Sequence, residues 1–178
     1  MPFIDVSGYI GGGTQYGWIT SGNPSIDGAR GPGLQLVFGR RLRDRYPLYL
    51  DLRVGGMFVD VGPTTELAYP SDRADYAVMA VGGLWDFRTA GSRGPGAWAS
   101  LHAAYHNLNW REFCYSIDGF GVSPAVGMHV PILSIGVFRI GVTGSVFSGN
   151  SNYDARVSGQ SLQVSMDYLY EFRPRDGK

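Results

Sequence analysis

Lysine and cysteine are nearly absent from this sequence. Lysine occurs once, at Lys178, and the 15 basic residues are balanced by 15 acidic ones, so the formal net charge is zero. This balance argues against a general nucleic-acid-binding protein, which needs an excess of basic residues to neutralise phosphates. We therefore expect no nucleic-acid partner. The single cysteine, Cys114, excludes an intrachain disulfide and any four-cysteine zinc or iron–sulfur site.

The sequence also lacks a stretch that could form a transmembrane helix. The longest uncharged run, residues 119–138, contains Pro124 and Pro131 together with four glycines. A helix there would lose hydrogen bonds at both prolines and would be weakened at each glycine. The first residues, Met-Pro-Phe-Ile-Asp, lack the basic and long apolar regions of a signal peptide. We expect that a signal peptide has been removed.

What the sequence does contain is an alternation of apolar and polar residues with a period of two. The clearest example is 161–172, where one set of alternate positions is wholly apolar or aromatic and the other is mostly polar. Successive side chains of a strand point to opposite faces, so this pattern predicts a β-strand. The apolar set is Leu162, Val164, Met166, Tyr168, Tyr170 and Phe172.

The same alternation predicts eight strands in a single domain over residues 1–178. The predicted strands are 3–11, 33–42, 46–61, 75–87, 97–110, 117–130, 133–147 and 160–172. These strands are long for a soluble sheet. In 75–87 both parities fit, and we prefer the one that places Met79, Val81, Trp85 and Phe87 on the apolar face. Long and short connections alternate along the chain, as expected of a hairpin meander.

The composition of the polar face distinguishes a membrane barrel from a soluble barrel. It consists of Gly, Ser, Ala, Gln and Tyr with occasional Asp and Arg, whereas a soluble barrel would display Lys, Glu, Asp and Thr to water. Small residues with a few charges suit the interior of a narrow barrel, and the apolar face then contacts lipid. The predicted fold class is all-β, an eight-stranded antiparallel up-and-down transmembrane β-barrel. We expect an aromatic girdle at the membrane interface, formed by Tyr46, Trp85, Phe87, Tyr168, Tyr170 and Phe172.

In this pattern the sequence resembles the small outer-membrane β-barrels, such as the OmpA transmembrane domain and OmpX. The resemblance implies a location in the bacterial outer membrane, with outer-membrane lipid and the outer-membrane assembly machinery as partners. The last strand, with Tyr168, Tyr170 and Phe172, resembles the assembly signal of that family, although residues 173–178 continue past the usual end. By this analogy the termini and short turns are periplasmic. The segments 12–30, 62–74 and 148–158 are extracellular and are possible contacts for a surface ligand.

Polar residues on the inward face predict a network in the lumen. Its predicted members are Gln35, Asp51, Arg53, His102, Arg139, Asp167 and Glu171. A paired polar plug is favoured over a conduction path, because eight strands leave an interior just filled by side chains. His102 and His106 lie about 13 Å apart along one strand, too far to share a metal. We predict no catalytic residue, metal or cofactor.

The leading functional hypothesis is a structural or surface-interaction role carried by the extracellular segments, with Tyr16, Trp18, Tyr69 and Tyr153 as candidate contacts. Two alternatives remain open. One is an outer-membrane enzyme that modifies lipid A with a Ser/His pair on its outer surface. The other is a soluble, lipocalin-like ligand-binding barrel, in which the apolar face points inward.

Overall fold

Eight antiparallel strands form a closed barrel with neighbours in chain order. The computed structural model describes residues 8–21, 29–42, 47–61, 72–88, 95–110, 115–132, 136–152 and 156–172. No helix among them is sufficiently long and apolar to cross a membrane. The strands are β1 (Gly8–Ser21), β2 (Ala29–Arg41), β3 (Leu48–Val61), β4 (Asp72–Asp86), β5 (Gly96–Trp110), β6 (Tyr115–Ile132), β7 (Gly136–Ser151) and β8 (Arg156–Phe172).

The first and last strands close the barrel. β1 pairs with β8 along its whole length, from Gly8 opposite Phe172 to Ser21 opposite Gly159. It also pairs with β2 on its other side. This closure leaves no open sheet edge, so backbone N–H and C=O groups find partners without water. The predicted up-and-down eight-stranded fold is confirmed.

The two faces of the barrel wall differ as the alternation predicts. Large apolar side chains point outward. For example, Leu34 is 70% exposed, Phe58 68% and Phe120 74%. In β4 the outward residues include Met79 and Val81, which settles the parity of that strand in favour of the one preferred from the sequence. The alternative of a soluble barrel with its apolar face inward is therefore wrong.

The strands are longer than a membrane crossing requires. We call the end where β1 begins and β8 finishes the terminal end, and the opposite end the distal end. β8 has 17 residues, whereas a membrane strand needs about 9–11. At the distal end the outward positions become polar or charged: Arg30, Asp60, Arg73, Asn109, Asp118, Asn150 and Arg156. The apolar belt is thus confined to the terminal and middle parts of the wall.

This extension corrects several predicted boundaries. Most of the segment 12–30 is strand, because β1 runs to Ser21 and β2 begins at Ala29; 148–151 and 156–158 also lie in strands. Tyr16 and Trp18 consequently lie on the lipid-facing wall of β1 and not in a loop. The prediction failed there because glycines interrupt the pattern of β1 and because polarity reverses above the belt. Residues 3–7, 62–71, 133–135, Tyr69 and Tyr153 lie outside the described residues.

The barrel interior contains two apolar clusters that the sequence did not suggest. The distal cluster consists of Ile19, Ala29, Met57, Val59, Ala74, Tyr76, Leu108, Ile117, Phe147 and Val157. The terminal cluster consists of Tyr9, Val37, Tyr49, Leu84, Trp98, Ala125 and Leu169. The expectation of an interior lined by small and polar residues therefore holds only between the two clusters.

Glycines on the inward face make room for the large interior side chains. A Cβ at Gly141 would lie 2.3 Å from the indole of Trp98, and one at Gly39 would lie 2.1 Å from the ring of Tyr9. Both distances are shorter than van der Waals contact allows, so these positions tolerate no side chain while the rings stay in place. The abundance of glycine on this face reflects packing of the interior.

Candidate functional site

The carboxylate of Asp51 is the centre of a polar core between the two apolar clusters. Its Oδ2 accepts hydrogen bonds from Arg53 Nε at 2.7 Å and from His102 Nε2 at 2.8 Å. Its Oδ1 accepts from the hydroxyl of Tyr9 and from Arg139 Nη1, the latter at 3.4 Å. Asp51 is fully buried, and its four donors come from β1, β3, β5 and β7. One carboxylate thus joins four strands across the lumen.

A second carboxylate extends the polar core to β2 and β8. Asp167 on β8 accepts from Gln35 Nε2 on β2 at 2.7 Å and from Arg139 Nε at 3.3 Å. Arg139 therefore bridges Asp51 and Asp167, and all three side chains are at most 1% exposed. Two arginines and two aspartates balance the formal charge in this layer, as buried ions require.

The arginines also contact aromatic rings of the terminal cluster. The guanidinium carbons of Arg53 and Arg139 lie 5.1 Å and 5.2 Å from the ring centre of Trp98. Arg139 lies 5.4 Å from the ring centre of Tyr9. Arg53 also donates to Ser100 Oγ at 3.0 Å and to Thr143 Oγ1 at 3.4 Å. Cation–π contacts and hydrogen bonds together hold both arginines, so the polar core and the terminal cluster form one packed unit.

A separate ion cluster lies at the terminal mouth. Arg88, just past β4, contacts Asp86 Oδ2 at 2.6 Å and Glu171 Oε1 at 2.5 Å. Burial lowers the pKa of Arg88, but the hydrogen bonds to these two carboxylates raise it by more than burial lowers it. The net shift of the pKa is therefore upward. The charged guanidinium ties the end of β8 to the connection after β4. Glu171 belongs to this cluster and lies apart from the polar core.

The structure brings together six of the seven residues predicted for the lumen network. They are Gln35, Asp51, Arg53, His102, Arg139 and Asp167, joined directly or through one another. Of the predicted girdle, Trp85, Phe87, Tyr168, Tyr170 and Phe172 are outward-facing and lie towards the terminal end. Tyr46 lies outside the described residues.

Sequence reasoning missed several members of the site. Tyr9, Trp98 and Ser100 share the parity of the inward residues of their strands, so alternation could have placed them in the lumen. A further polar pair lies within the distal cluster, where the hydroxyl of Tyr76 is 2.5 Å from Nδ1 of His106. The ring of Phe147 stacks on His106 at 4.5 Å. No pattern in the sequence indicates which inward residues meet across the lumen.

The histidines bear on the hypothesis of a lipid-modifying enzyme. All three histidines of the chain, His102, His106 and His129, are at most 2% exposed and face the interior. The lipid-facing wall therefore holds no histidine, and the Ser/His pair proposed for its outer surface does not exist. Within the described ranges, no group of three or more His, Cys, Asp or Glu side chains is arranged to hold a metal ion.

Several solved structures of other proteins have a fold similar to that of this barrel. No protein-family model matches the sequence, and no curated protein sequence matches it. Neisserial surface protein A superimposes with a TM-score of 0.64 at 15% identity, covering 93% of this chain and 97% of that one. OprG of Pseudomonas aeruginosa gives 0.64 at 13% identity, with 95% and 97% covered. The chain has the fold of the small outer-membrane β-barrels.

A third outer-membrane barrel with this fold is the attachment invasion locus protein Ail of Yersinia pestis. Its structure in complex with the heparin analogue sucrose octasulfate matches with a TM-score of 0.54 at 11% identity, covering 92% of this chain and 97% of that one. These likenesses confirm the fold predicted from the resemblance. At such low identity they concern the fold and not a shared activity.

Replacing Asp51 tests how strongly the polar core stabilises the barrel. Asp51→Ala leaves Arg53 and Arg139 buried with one carboxylate fewer, and removing one partner of a buried ion pair costs about 3–5 kcal/mol. We expect the free energy of unfolding to fall by that amount. The measurement is a urea titration of the barrel in lipid vesicles, followed by tryptophan fluorescence.

Asp60→Ala is the matched control. Asp60 pairs with Arg73 at 3.7 Å on the outer surface, where the two side chains are 73% and 89% exposed. Exposed pairs contribute at most about 1 kcal/mol, so this variant should unfold nearly as the parent does. Equal losses of stability in the two variants would show that the network around Asp51 stabilises the barrel no more than an exposed ion pair does.

Proposed function

We propose that this protein is an integral outer-membrane barrel whose role is structural or surface-interacting, exerted at its distal end. The observation that carries the proposal is the outer wall itself, apolar over the terminal and middle parts and charged above. An apolar belt of this kind is stable only against hydrocarbon, and a charged rim only in water or among lipid head groups. The fold shared with outer-membrane barrels supports the choice of membrane.

The distal part of the barrel has the polarity of a water-soluble barrel. Outward positions there include Asp60 and Asp118, whereas inward positions carry Ile19, Val59 and Leu108. Subtracting about 11 residues for the membrane crossing leaves about six residues of β8 beyond it, or about 20 Å along the strand. We infer that this part stands above the lipid as a rigid base for the distal connections, which would contact a surface ligand.

The filled interior supports a barrel that does not conduct. An apolar cluster lies near each end, and the polar core between them is closed by pairs such as Asp51–Arg139 and Asp167–Gln35. Water and ions crossing the lumen would have to displace packed side chains at three levels. The role of the polar core in this proposal is to hold the strands in register, as a plug.

The proposed orientation places the termini in the periplasm. The outward aromatic residues of β4 and β8 lie at the terminal end, and the last strand presents Tyr168, Tyr170 and Phe172 on its lipid face. This arrangement supports recognition of the last strand by the outer-membrane assembly machinery. The distal end then faces the exterior of the cell.

Cysteine labelling of intact cells tests the orientation. In a Cys114→Ser background, we expect Asn150→Cys at the distal end to react with a membrane-impermeant maleimide, because Asn150 is exposed above the belt. Leu42→Cys, beside β2 at the terminal end, should react only after the outer membrane is permeabilised. Met166→Cys, in the lipid-facing belt, is the control and should react only after unfolding. Labelling of position 42 but not 150 in intact cells would reverse the proposed orientation.

Planar-bilayer recording tests the plugged lumen. We expect the purified barrel to insert without discrete conductance steps, since both apolar clusters and the polar core fill the interior. Insertion is verified independently by the shift in gel migration between heated and unheated samples. Regular steps from inserted, folded protein would contradict the plug and would favour a conduction path.

A further inference from the structure

The ion cluster at the terminal mouth spans the lumen. β4 and β8 are four strands apart in either direction around the eight-stranded barrel, so they lie on opposite walls. Arg88 follows β4 and Glu171 is the penultimate residue of β8, and Arg88 Nη2 donates to Glu171 Oε1 at 2.5 Å. Side chains from opposite walls therefore meet across the terminal opening.

Asp86 fixes the arginine on the side of β4. Asp86 Oδ2 accepts from Arg88 Nε at 2.8 Å and from Arg88 Nη2 at 2.6 Å, and Asp86 Oδ1 accepts from the backbone N–H of Arg88 at 3.0 Å. A Cβ on Gly96 would lie 2.2 Å from Cγ of Arg88, so this glycine leaves room for the arginine side chain. The side chains of Arg88, Asp86 and Glu171 are at most 17% exposed, so water screens their attraction less than that of a surface pair.

The far end of the ion cluster belongs to the strand pair that closes the barrel. We call the pairing of β1 with β8 the seam. Glu171 is the register partner of Tyr9 on β1, at the terminal end of the seam. Tyr9 also reaches into the lumen, where its hydroxyl donates to Asp51 on β3. At this end, both strands of the seam are thus held by side chains of strands beyond their immediate neighbours.

The seam has few paired side chains near this end. Three consecutive glycines of β1, at positions 11–13, lie opposite residues 167–169 of β8. A glycine contributes no side chain to a cross-strand pair, and it loses more conformational freedom than other residues when a strand fixes it. At these positions the two strands are joined through the backbone without paired side chains. Contacts from elsewhere in the barrel therefore matter more for the seam than for other strand pairs.

The contact between Arg88 and Glu171 can form only when the barrel is closed. In a flat sheet both side chains would point to the same side, four strand spacings or about 19 Å apart. Closure turns the two walls towards each other and brings the side chains together across the lumen. An interaction that exists only in the closed state shifts the equilibrium between open and closed seam towards closure.

We propose that the ion cluster holds the terminal end of the seam closed, with Arg88 binding Asp86 and Glu171 at the same time. Without this contact, the last residues of β8 separate from β1 more often, whereas the distal part of the seam stays paired. This role differs from that of the polar core, which links strands in the middle of the lumen. The terminal mouth is thus a device for barrel closure.

Amide hydrogen exchange, resolved by residue with NMR in detergent micelles, tests the proposal. In Arg88→Gln, we expect the amides of residues 8–11 and 169–172 that bond across the seam to exchange about tenfold faster. Loss of a hydrogen bond to a charged group has an effect of this size, and the factor corresponds to about 1.4 kcal/mol. Amides of the distal seam, at residues 17–19 and 161–163, should exchange as in the parent. The same holds for residues 126–128 in the pairing of β6 with β7.

Arg73→Gln is the matched control, because Arg73 lies near the opposite end of β4 and is 89% exposed. It should leave exchange at the seam unchanged. Glu171→Gln should reproduce the effect of Arg88→Gln, and the double variant should exchange little faster than either single one, because each substitution removes the same contact. If Arg88→Gln fails to fold in the heat-dependent migration assay, Glu171→Gln carries the test alone.

Three results would overturn the proposal. Exchange at the terminal seam that matches the parent in Arg88→Gln and in Glu171→Gln would show that the ion cluster does not hold the seam. Equal acceleration in all strand pairs would show that Arg88 stabilises the barrel as a whole. Fully additive effects of the two substitutions would show that Arg88 and Glu171 act independently of each other.

Discussion

The constraint on which this structure depends is that hydrocarbon offers no hydrogen bonds to a backbone. All peptide groups in the belt must therefore be paired within the protein, and eight strands achieve this only by closing on themselves through β1 and β8. Closure then separates two environments, a wall that contacts lipid and an interior that contacts only itself. Outward Leu34 and Phe120 and inward Asp51 and Arg139 are consequences of the same separation.

Inside that wall, a charged side chain is stable only where an opposite charge or hydrogen-bond donors and acceptors compensate it. Asp51 collects donors from four strands, and Arg139 carries the contact onward to Asp167, so the polar core links strands that are not neighbours in the sheet. Apolar packing above and below this layer excludes water and strengthens its electrostatic interactions. In the distal part, where the outward positions become charged, the cluster around Leu108 forms the interior.

The sequence predicted the class of fold, the side of each strand that meets lipid and most of the polar core, because alternation reports which face a residue occupies. It could not predict partners across the lumen, since Gln35 and Asp167 are 132 positions apart. It also underestimated β1, where glycines remove the apolar signal although the backbone remains paired to Ser21.

The most direct test of the account is a nitroxide scan of β8 in lipid bilayers, with each label's collision rate measured against oxygen, which concentrates in hydrocarbon, and against a water-soluble nickel complex. The account predicts high oxygen access at the outward positions Leu162, Val164, Met166 and Tyr168, and high nickel access at Arg156 and Ser158. The inward positions Ser165 and Asp167 should be poorly accessible to both. High nickel access at positions 162–168 would place that face in water and would contradict the membrane-embedded wall.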